Sequence, residues 1–503
     1  MKNKQLFINM ISSLISFGVN LGINLLLTPY IIAKLGSEAY SFIPIANNFI
    51  QYISIFTAAL NAMASRFITI ELQKNNNHGA NEYFTSVLIA NTVLSMFLTI
   101  PGILMVLYID SILNVPIEVL SDVQITFTFV GINLVISLIG NVFSVATFAK
   151  NKLYLSSLKT IQGNLARVLL IIVLFVLFKP HLYYVSLSAI VSTAILTLGN
   201  LYYTKRLLPE IKIKRKFFKI SAIKELLMLG VWNSINQLSV VLLTSLDLLI
   251  ANVCLGATAG GQFSIAKNIP TLIQSLVGVL VSIFIPEFTI LYAKNEKEKL
   301  SERVNFSVQI MGWLITLPIA FLMINGKEFF MLWVPGEDAI LLHKLSLLTI
   351  IPMIITGSVN TIFNVYTVTG KLKTPALVLL VSGIFNVSAV LLLLRFTNLG
   401  IFAIPLVAAL VGIIRNTIFT PLYAAKCLEI KWYSFYIAII KGIFCTITMC
   451  IICIIIKQFI ICNSWVNFIF SACISVIITM PINFIILFSK KDRKSILELI
   501  RKK

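Results

Sequence analysis

The chain has 503 residues, of which 58% are hydrophobic and only 12% charged, and its mean hydropathy is +0.96. Soluble domains carry about 25% charged residues, and a soluble fold of this length could not bury so much apolar surface, so that class is excluded. The formal net charge of +21 indicates basic loops beside anionic lipid rather than nucleic acid in so apolar a chain. We therefore predict an all-α polytopic membrane protein.

Fourteen apolar stretches are each long enough to cross a bilayer as a helix, which takes about 20 residues. The first stretch is too long for the apolar core of a cleavable signal peptide and lacks a small-residue cleavage pattern, so we expect it to stay in the protein. The predicted spans are 8–33, 40–65, 83–109, 123–148, 155–178, 182–203, 226–253, 262–292, 304–325, 340–368, 374–394, 399–424, 434–456 and 464–488.

The charges of the loops alternate along the chain. Most lysines and arginines fall in every second loop and at both termini, whereas the loop with Asp110, Glu118 and Asp122 has none. Because positively charged loops stay in the cytoplasm, we predict a multi-pass protein with both termini cytoplasmic. The C-terminal cations in this pattern are Lys490, Lys491, Arg493, Lys494, Arg501, Lys502 and Lys503.

A weak internal repeat indicates two lobes. Leu35-Gly36 follows the first span and Leu255-Gly256 follows the seventh, and each is followed by an aromatic residue that opens the next span. Two six-helix lobes related by a pseudo-two-fold axis are a common plan of transporters. The predicted parts are a first lobe over 1–203, a basic cytoplasmic connector over 204–225, a second lobe over 226–425, and spans 13 and 14 with a basic tail over 426–503.

The connector is the longest polar stretch of the chain. Basic residues next to a membrane attract anionic headgroups at about 1 kcal/mol each, so we expect it to lie on the membrane surface. Its cations are Lys205, Arg206, Lys212, Lys214, Arg215, Lys216, Lys219 and Lys224.

Cations outnumber acids within the predicted spans. A charged side chain at the bilayer centre costs about 2.5–3.5 kcal/mol on insertion scales and usually faces a cavity or a partner. Lysine and arginine in a cavity favour an anion, and the arginine fork suits a phosphate. Asp247 is the main acid and is a candidate for pairing with a cation or for binding a proton or sodium ion. The buried cations are Lys159, Arg167, Lys267, Arg415 and Lys441, the last near enough to a span end to reach the interface.

Amides recur at helical spacing in three spans. Such stripes avoid lipid and face either protein or water. Helix–helix hydrogen bonds, worth about 0.6 kcal/mol each, explain any single amide, whereas the stripes as sets favour a hydrated cavity. Span 2 carries Asn47, Gln51 and Asn61, span 7 carries Asn233, Asn236 and Gln237, and span 10 carries Asn360 and Asn364.

The motifs of enzymes and of ATP-driven pumps are missing from the sequence. It has no G-x-x-x-x-G-K-[ST] loop for nucleotide phosphates. Cys450 and Cys453 form a C-x-x-C pair in an apolar helix without a histidine partner, which argues against a zinc or redox site. We therefore expect no catalytic residues, no cofactor and no metal.

Two stretches resemble a known family. LLTPYIIAKLGSEAYSF at 26–42, with AMASRF at 62–67, is similar to the start of bacterial O-antigen and capsule repeat-unit flippases. The second half repeats the likeness in ELLMLGVWNSINQLSVVLLTSLDLLIANVCLG at 225–256 and FSIAKNIPTLIQ at 263–274. These flippases are the Wzx-type branch of the multidrug/oligosaccharidyl-lipid/polysaccharide (MOP) exporter superfamily.

The resemblance implies a MATE-like, V-shaped pair of lobes around a central cavity that opens to alternate sides of the inner membrane. The implied cargo is an undecaprenyl-diphosphate-linked oligosaccharide for O-antigen, lipopolysaccharide or capsule synthesis, and membrane lipids surround the protein. A monomer, working with a polysaccharide polymerase and a chain-length regulator, fits this picture. By charge and depth, the candidates for the cationic cavity are Arg66, Lys159, Arg167, Lys267 and Arg415.

Two relatives of these flippases are alternatives. Peptidoglycan lipid-precursor flippases usually carry an Arg-Asp pair after the first Leu-Gly, where this chain has Ser37-Glu38-Ala39. Multidrug exporters carry functional acids in the lobes, and only Asp247 could serve that role here. Both departures favour the polysaccharide branch.

Overall fold

The computed structural model describes residues 2–488 and residue 493, and every regular element in this part of the chain is a helix. Within these described residues, fourteen helical segments are long and apolar enough to cross a membrane, which confirms the predicted number. Spans 1 to 14 are Ile11–Leu35, Ser37–Gln73, Asn77–Leu107, Ile117–Ala149, Leu153–Leu177, Tyr183–Leu207, Ile220–Leu255, Ala257–Ala293, Lys297–Trp333, Ala339–Thr369, Lys373–Phe396, Gly400–Leu428, Tyr436–Phe459 and Trp465–Leu487. The predicted tail cations Lys490, Lys491, Lys494, Arg501, Lys502 and Lys503 lie outside the described residues.

Helices dominate because a backbone in lipid must satisfy its own hydrogen bonds, which a helix does within one segment. The two glycines of the repeat each separate two long helices by a single residue. Gly36 has φ +83° and Gly256 has φ +95°, a region that glycine enters without a steric penalty. The helices that follow them, Ser37–Gln73 and Ala257–Ala293, share one offset of 220 residues at both ends. The bounds of these helices therefore follow the repeat that the sequence indicates.

Contacts between helices divide the chain into two compact units. The first unit comprises Met1–Gly261 with Ala376–Ile384, and the second comprises Gln262–Pro375 with Phe385–Lys503. Span 7 thus packs with spans 1 to 6, whereas spans 9, 10, 12, 13 and 14 belong to the second unit. The division into lobes at 204–225 follows the sequence repeat rather than packing, and it stays a prediction.

Spans 13 and 14 pack against span 9 within the second unit. Gly312 and Gly442 bring spans 9 and 13 into backbone contact, because a Cβ built on Gly312 would lie 3.4 Å from the Cα of Gly442. One turn further on, the hydroxyls of Thr316 and Thr446 are 3.1 Å apart. The indole of Trp313 donates to the carbonyl of Met480 in span 14 at 3.2 Å. Small residues and interhelical hydrogen bonds of this kind are typical of tight packing in a membrane.

Span 9 is kinked where a lysine from span 13 reaches it. Asn325 leaves the helical conformation, with φ −110° and ψ 15°. The ammonium of Lys457 donates to the carbonyl of Ile324 at 2.8 Å and pairs with Glu328 at 2.7 Å. A side chain that reaches the backbone of a helix is one of the identifiable causes of a sharp kink.

Candidate functional site

Spans 2 and 7 meet along a seam of small residues in the first unit. A Cβ built on Gly230 would overlap the carbonyl oxygen of Ala59 and lie 2.7 Å from its Cα, so only glycine fits there. One turn later, the Ser234 hydroxyl donates to the carbonyl of Ile55 at 2.7 Å and accepts from the amide of Ala59 at 3.3 Å. The spacing of Gly230 and Ser234 is the small-xxx-small pattern that lets two helix backbones approach in lipid.

Further along the seam, span 7 contains a π-helical segment, Val241–Ser245. A π turn leaves backbone groups without their usual helical partners and often marks a functional position. The carbonyl of Ser245 accepts from the Asn48 amide at 2.9 Å and from the Tyr52 hydroxyl at 2.8 Å. The Ser245 hydroxyl donates to the side-chain oxygen of Gln51 at 2.7 Å. The structure therefore brings polar residues of spans 2 and 7 together, and buried Asp247 follows this segment closely.

The predicted amides differ in exposure. Asn47, Gln51 and Asn236 are exposed, and Asn233 and Gln237 are half-buried. Asn61 is engaged in helix packing, since its side-chain oxygen accepts from the Asn91 amide at 3.0 Å, and Asn91 also donates to the carbonyl of Leu138. The Asn61 side chain therefore forms a helix–helix hydrogen bond, which is the first of the two explanations given above for a polar side chain within a span.

Three of the candidate cations belong to the first unit. Lys159 donates to the Gln162 side chain at 2.9 Å, and its aliphatic stem packs on Gly199. Arg167 lies close to Tyr40, and its Nε is enclosed without a hydrogen-bond partner among the described residues. Arg66 is exposed in span 2. Of the three, only Arg167 has an enclosed guanidinium nitrogen whose hydrogen-bonding capacity is unused within the described part of the chain.

In the second unit, Arg415 begins another π-helical segment, Arg415–Phe419, in span 12. Tyrosine hydroxyls again bond carbonyls there: Tyr366 donates to Thr420 at 2.7 Å and Tyr436 to Thr417 at 2.9 Å. The Nε and Nη1 atoms of Arg415 are enclosed and have no hydrogen-bond partner in the described part of the chain. This guanidinium is thus held by packing, and two of its nitrogens have unused hydrogen-bonding capacity among the described residues.

The remaining candidates of the second unit are less enclosed or already bonded. Lys267 is half-buried, with its ammonium 5.7 Å from the ring centroid of Phe263. Asn360 is half-buried, and buried Asn364 donates to the carbonyl of Val281 at 3.2 Å. The structure thus places two candidate cations in the second unit and three in the first. That the five line one cavity stays a prediction.

Lys441 and Glu429 each bond a group at or near the end of another span. The ammonium of Lys441 donates to the carbonyl of Leu487 at 3.3 Å, near the end of span 14. Glu429, just after span 12, pairs with Lys297, which holds the pKa of that carboxyl below its usual range by hydrogen bonding and by charge. These groups stabilise helix ends and are not candidates for a substrate site.

Several residues of the seam lie outside the predicted set. They include Asn48, Tyr52 and Ser245. The spacing of the amides predicts side chains that face a cavity, and these three instead bond across the contact between spans 2 and 7. Gly230 and Ser234 carry a usable signal in the sequence, their four-residue spacing of small side chains.

Comparison with known proteins identifies the family. Residues 6–291 match the model of the family described as "Polysaccharide biosynthesis protein". The chain is 30% identical over 496 residues to the "Uncharacterized membrane protein EpsK" of Bacillus subtilis (strain 168), covering 98% of both chains. Its fold is similar to that of a structure titled "Lipid II flippase MurJ, inward closed conformation" (TM-score 0.68, 13% identity, 95% of this chain and 98% of that one).

The fold is also similar to an inward-facing multidrug resistance MATE family transporter of the MOP superfamily. That match has a TM-score of 0.65 at 16% identity and covers 82% of this chain and 94% of the other. The exporter and the lipid II flippase therefore share this helical plan. With a family model that matches more than half of its length and a full-length relative, the chain belongs to the polysaccharide biosynthesis protein family.

Proposed function

We propose that the protein is a flippase that moves an undecaprenyl-diphosphate-linked oligosaccharide repeat unit from the cytoplasmic to the outer leaflet of the bacterial inner membrane. The observation that carries this proposal is that Arg167 and Arg415 have enclosed guanidinium nitrogens with no hydrogen-bond partner among the described residues. A buried donor without a hydrogen-bond partner is costly, and more so when it carries charge. A diphosphate would offset that cost and fits the guanidinium fork in two-pronged hydrogen bonds.

The route that we propose for the lipid tail and for the sugars follows from their polarity. The lipid tail stays in the bilayer, and the sugars pass polar side chains such as Gln51 and Asn236, which are exposed in their spans. Arg66, Lys159 and Lys267 add positive charge, and alternating access moves the cargo between leaflets. Asp247 is our candidate for the coupling ion or proton, since it is buried beside the π segment of span 7, near Tyr52.

The cellular setting of the proposal comes from charge and family. The lysine and arginine bias of the loops favours cytoplasmic termini. The family role is polysaccharide biosynthesis, and the product we propose is a surface polymer such as O-antigen or capsule. The protein acts as a monomer, with a polymerase and a chain-length regulator as partners.

The test replaces each arginine by methionine, which keeps an unbranched side chain and removes its charge. A flippase-null strain is complemented with Arg167→Met or Arg415→Met, and lipid-linked repeat units are followed across the leaflets. We expect surface polymer to fall at least about 10-fold, because one lost charged hydrogen bond costs about 1.5–3 kcal/mol. The apparent Tm should stay the same or rise, because enclosed nitrogens without a hydrogen-bond partner have been removed.

Arg395 provides a matched control, since it is exposed at the end of span 11. Arg395→Met should support normal polymer. Full polymer in both arginine variants contradicts the proposal, and so does a fall in polymer that simply follows a fall in Tm. Drug resistance on overexpression, with no movement of lipid-linked units, would instead indicate a multidrug exporter.

A further inference from the structure

The connector between spans 6 and 7 is fixed to the helices beside it. The side chain of Asn81 in span 3 donates to the carbonyl of Glu210 at 3.2 Å and accepts from the amide of Lys212 at 2.6 Å. The amide of Lys219 donates to the Ser86 hydroxyl at 2.9 Å. Both ends of the connector are thereby held to the same helix, so its side chains have a defined arrangement.

The fixed connector turns two apolar side chains inward. Leu208 is 1% and Phe217 is 8% exposed. The rings of Phe217 and His78 meet edge to face at a centroid distance of 5.4 Å. This packing leaves the connector's basic side chains on the outside.

The acids near the connector already have partners, and Glu225 at its end accepts from the Tyr83 hydroxyl at 2.7 Å. Glu82 pairs with Lys219, and Glu210 pairs with Lys150. The other connector cations before Lys219 are exposed, and none forms an ion pair with a described residue. They are Lys205, Arg206, Lys212, Lys214, Arg215 and Lys216. The connector thus carries six exposed cations, and its two acids, Glu210 and Glu225, are bonded to Lys150 and Tyr83 instead.

Exposed apolar residues lie among these cations. Ile213 is 51%, Phe218 39% and Ile220 75% exposed. The flanking helices, Tyr183–Leu207 and Ile220–Leu255, are membrane spans, so the connector lies within a few residues of the bilayer surface at both ends. A basic surface with apolar side chains at that level is typical of segments that rest in the headgroup region.

We infer that the connector cations form a binding surface for the phosphates of anionic phospholipids in the leaflet next to it. The apolar side chains enter the interface, while the six cations bind headgroups. A lipid is favoured over a soluble acidic partner because both ends of the surface continue directly into membrane spans and because apolar groups are exposed between the charges.

The test uses the purified full chain in neutral detergent and the variant K212Q/K214Q/R215Q/K216Q. Phosphatidylglycerol or phosphatidylcholine is titrated, bound lipids are counted by native mass spectrometry, and the apparent Tm is followed. A cation at a membrane surface strengthens headgroup attraction about 5-fold. We expect the variant to bind phosphatidylglycerol at least about 10-fold more weakly than the wild type, with phosphatidylcholine binding unchanged.

The matched control K74Q/K294Q/K297Q/K299Q removes the same charge from lysines outside the connector. Three of them, Lys74, Lys297 and Lys299, already pair with acids. The control should bind phosphatidylglycerol like the wild type. An equal loss in both variants would mean a general effect of net charge and would overturn the inference.

Two further measurements keep the inference open to refutation if the connector variant misfolds. The charge-preserving variant K212R/K214R/K216R should retain phosphatidylglycerol binding. Wild-type binding should weaken in about 1 M salt, where the Debye length is only about 3 Å. Salt-resistant binding contradicts the inference. Unchanged lipid binding in the glutamine variant, together with loss of an acidic protein partner, would assign the surface to that protein instead.

Discussion

Replacement of Gly230 by alanine tests whether spans 2 and 7 are in contact. The added Cβ would overlap the carbonyl oxygen of Ala59 and lie 2.7 Å from its Cα. Non-bonded carbon atoms are best separated by about 3.5–4.0 Å, so the helices must separate locally by about 0.8 Å or more. The obstacle is backbone, which cannot rotate away as a side chain can. Overpacking of this kind costs about 1–3 kcal/mol.

Gly131→Ala is the matched control, because a Cβ on Gly131 in span 4 meets nothing within 4 Å. Alanine favours a helix over glycine by about 0.5–1 kcal/mol, so this variant should be as stable as the wild type or more so. The assay is the apparent Tm of each purified variant in one detergent, with surface polymer measured in parallel. If Gly230→Ala unfolds at the temperature of Gly131→Ala, spans 2 and 7 are not packed as described.

Three other substitutions test contacts in both units. Ser234→Ala removes the hydroxyl that bonds span 2 and should lower stability by about 0.5–1.5 kcal/mol. Its Tm should therefore be lower than that of Ser275→Ala, a control at an exposed position of span 8. Equal Tm values would mean that the hydrogen bonds of Ser234 contribute nothing to stability. Lys457→Met leaves Glu328 without its ion-pair partner and should lower the free energy of unfolding by about 2 kcal/mol. Adding Glu328→Gln should restore most of that loss. No recovery would show that the two charges are not coupled. Asn114→Ala removes two side-chain hydrogen bonds to the end of span 7, to the carbonyls of Asn252 and Val253. Hydrogen exchange there should rise, which an unchanged exchange pattern would contradict.

The number of spans is predictable because the signal is long and physical. An apolar run of about 20 residues has few alternatives to a membrane helix, and the repeat glycines Gly36 and Gly256 occupy positive φ in both halves. The spans extend beyond several predicted ends, as in Ser37–Gln73 and Lys297–Trp333. Their polar ends continue as helix past the apolar stretch, which a hydropathy window does not register.

Residue types are more predictable at the site than contacts. Arg167 and Arg415 are predicted from charge at depth, and both have enclosed guanidinium nitrogens with unused hydrogen-bonding capacity in the described chain. Asn61 is predicted on a similar basis, yet it bonds Asn91 of span 3. A stripe of amides shows that a face avoids lipid, but spacing alone does not decide whether protein or water covers it.

The π segments explain why helical spacing fails along span 7. A regular α-helix turns by about 100° per residue, which would place Asn236 and Asp247 on one face. A π turn inserts one extra residue, and Val241–Ser245 lies between those two positions. Everything after it is rotated by about 100° relative to the seam, so Asn236 is exposed while Asp247 is buried. The same insertion in span 12 begins at Arg415. Asp247, our candidate for ion coupling, thus owes its orientation to a backbone irregularity that no residue pattern encodes.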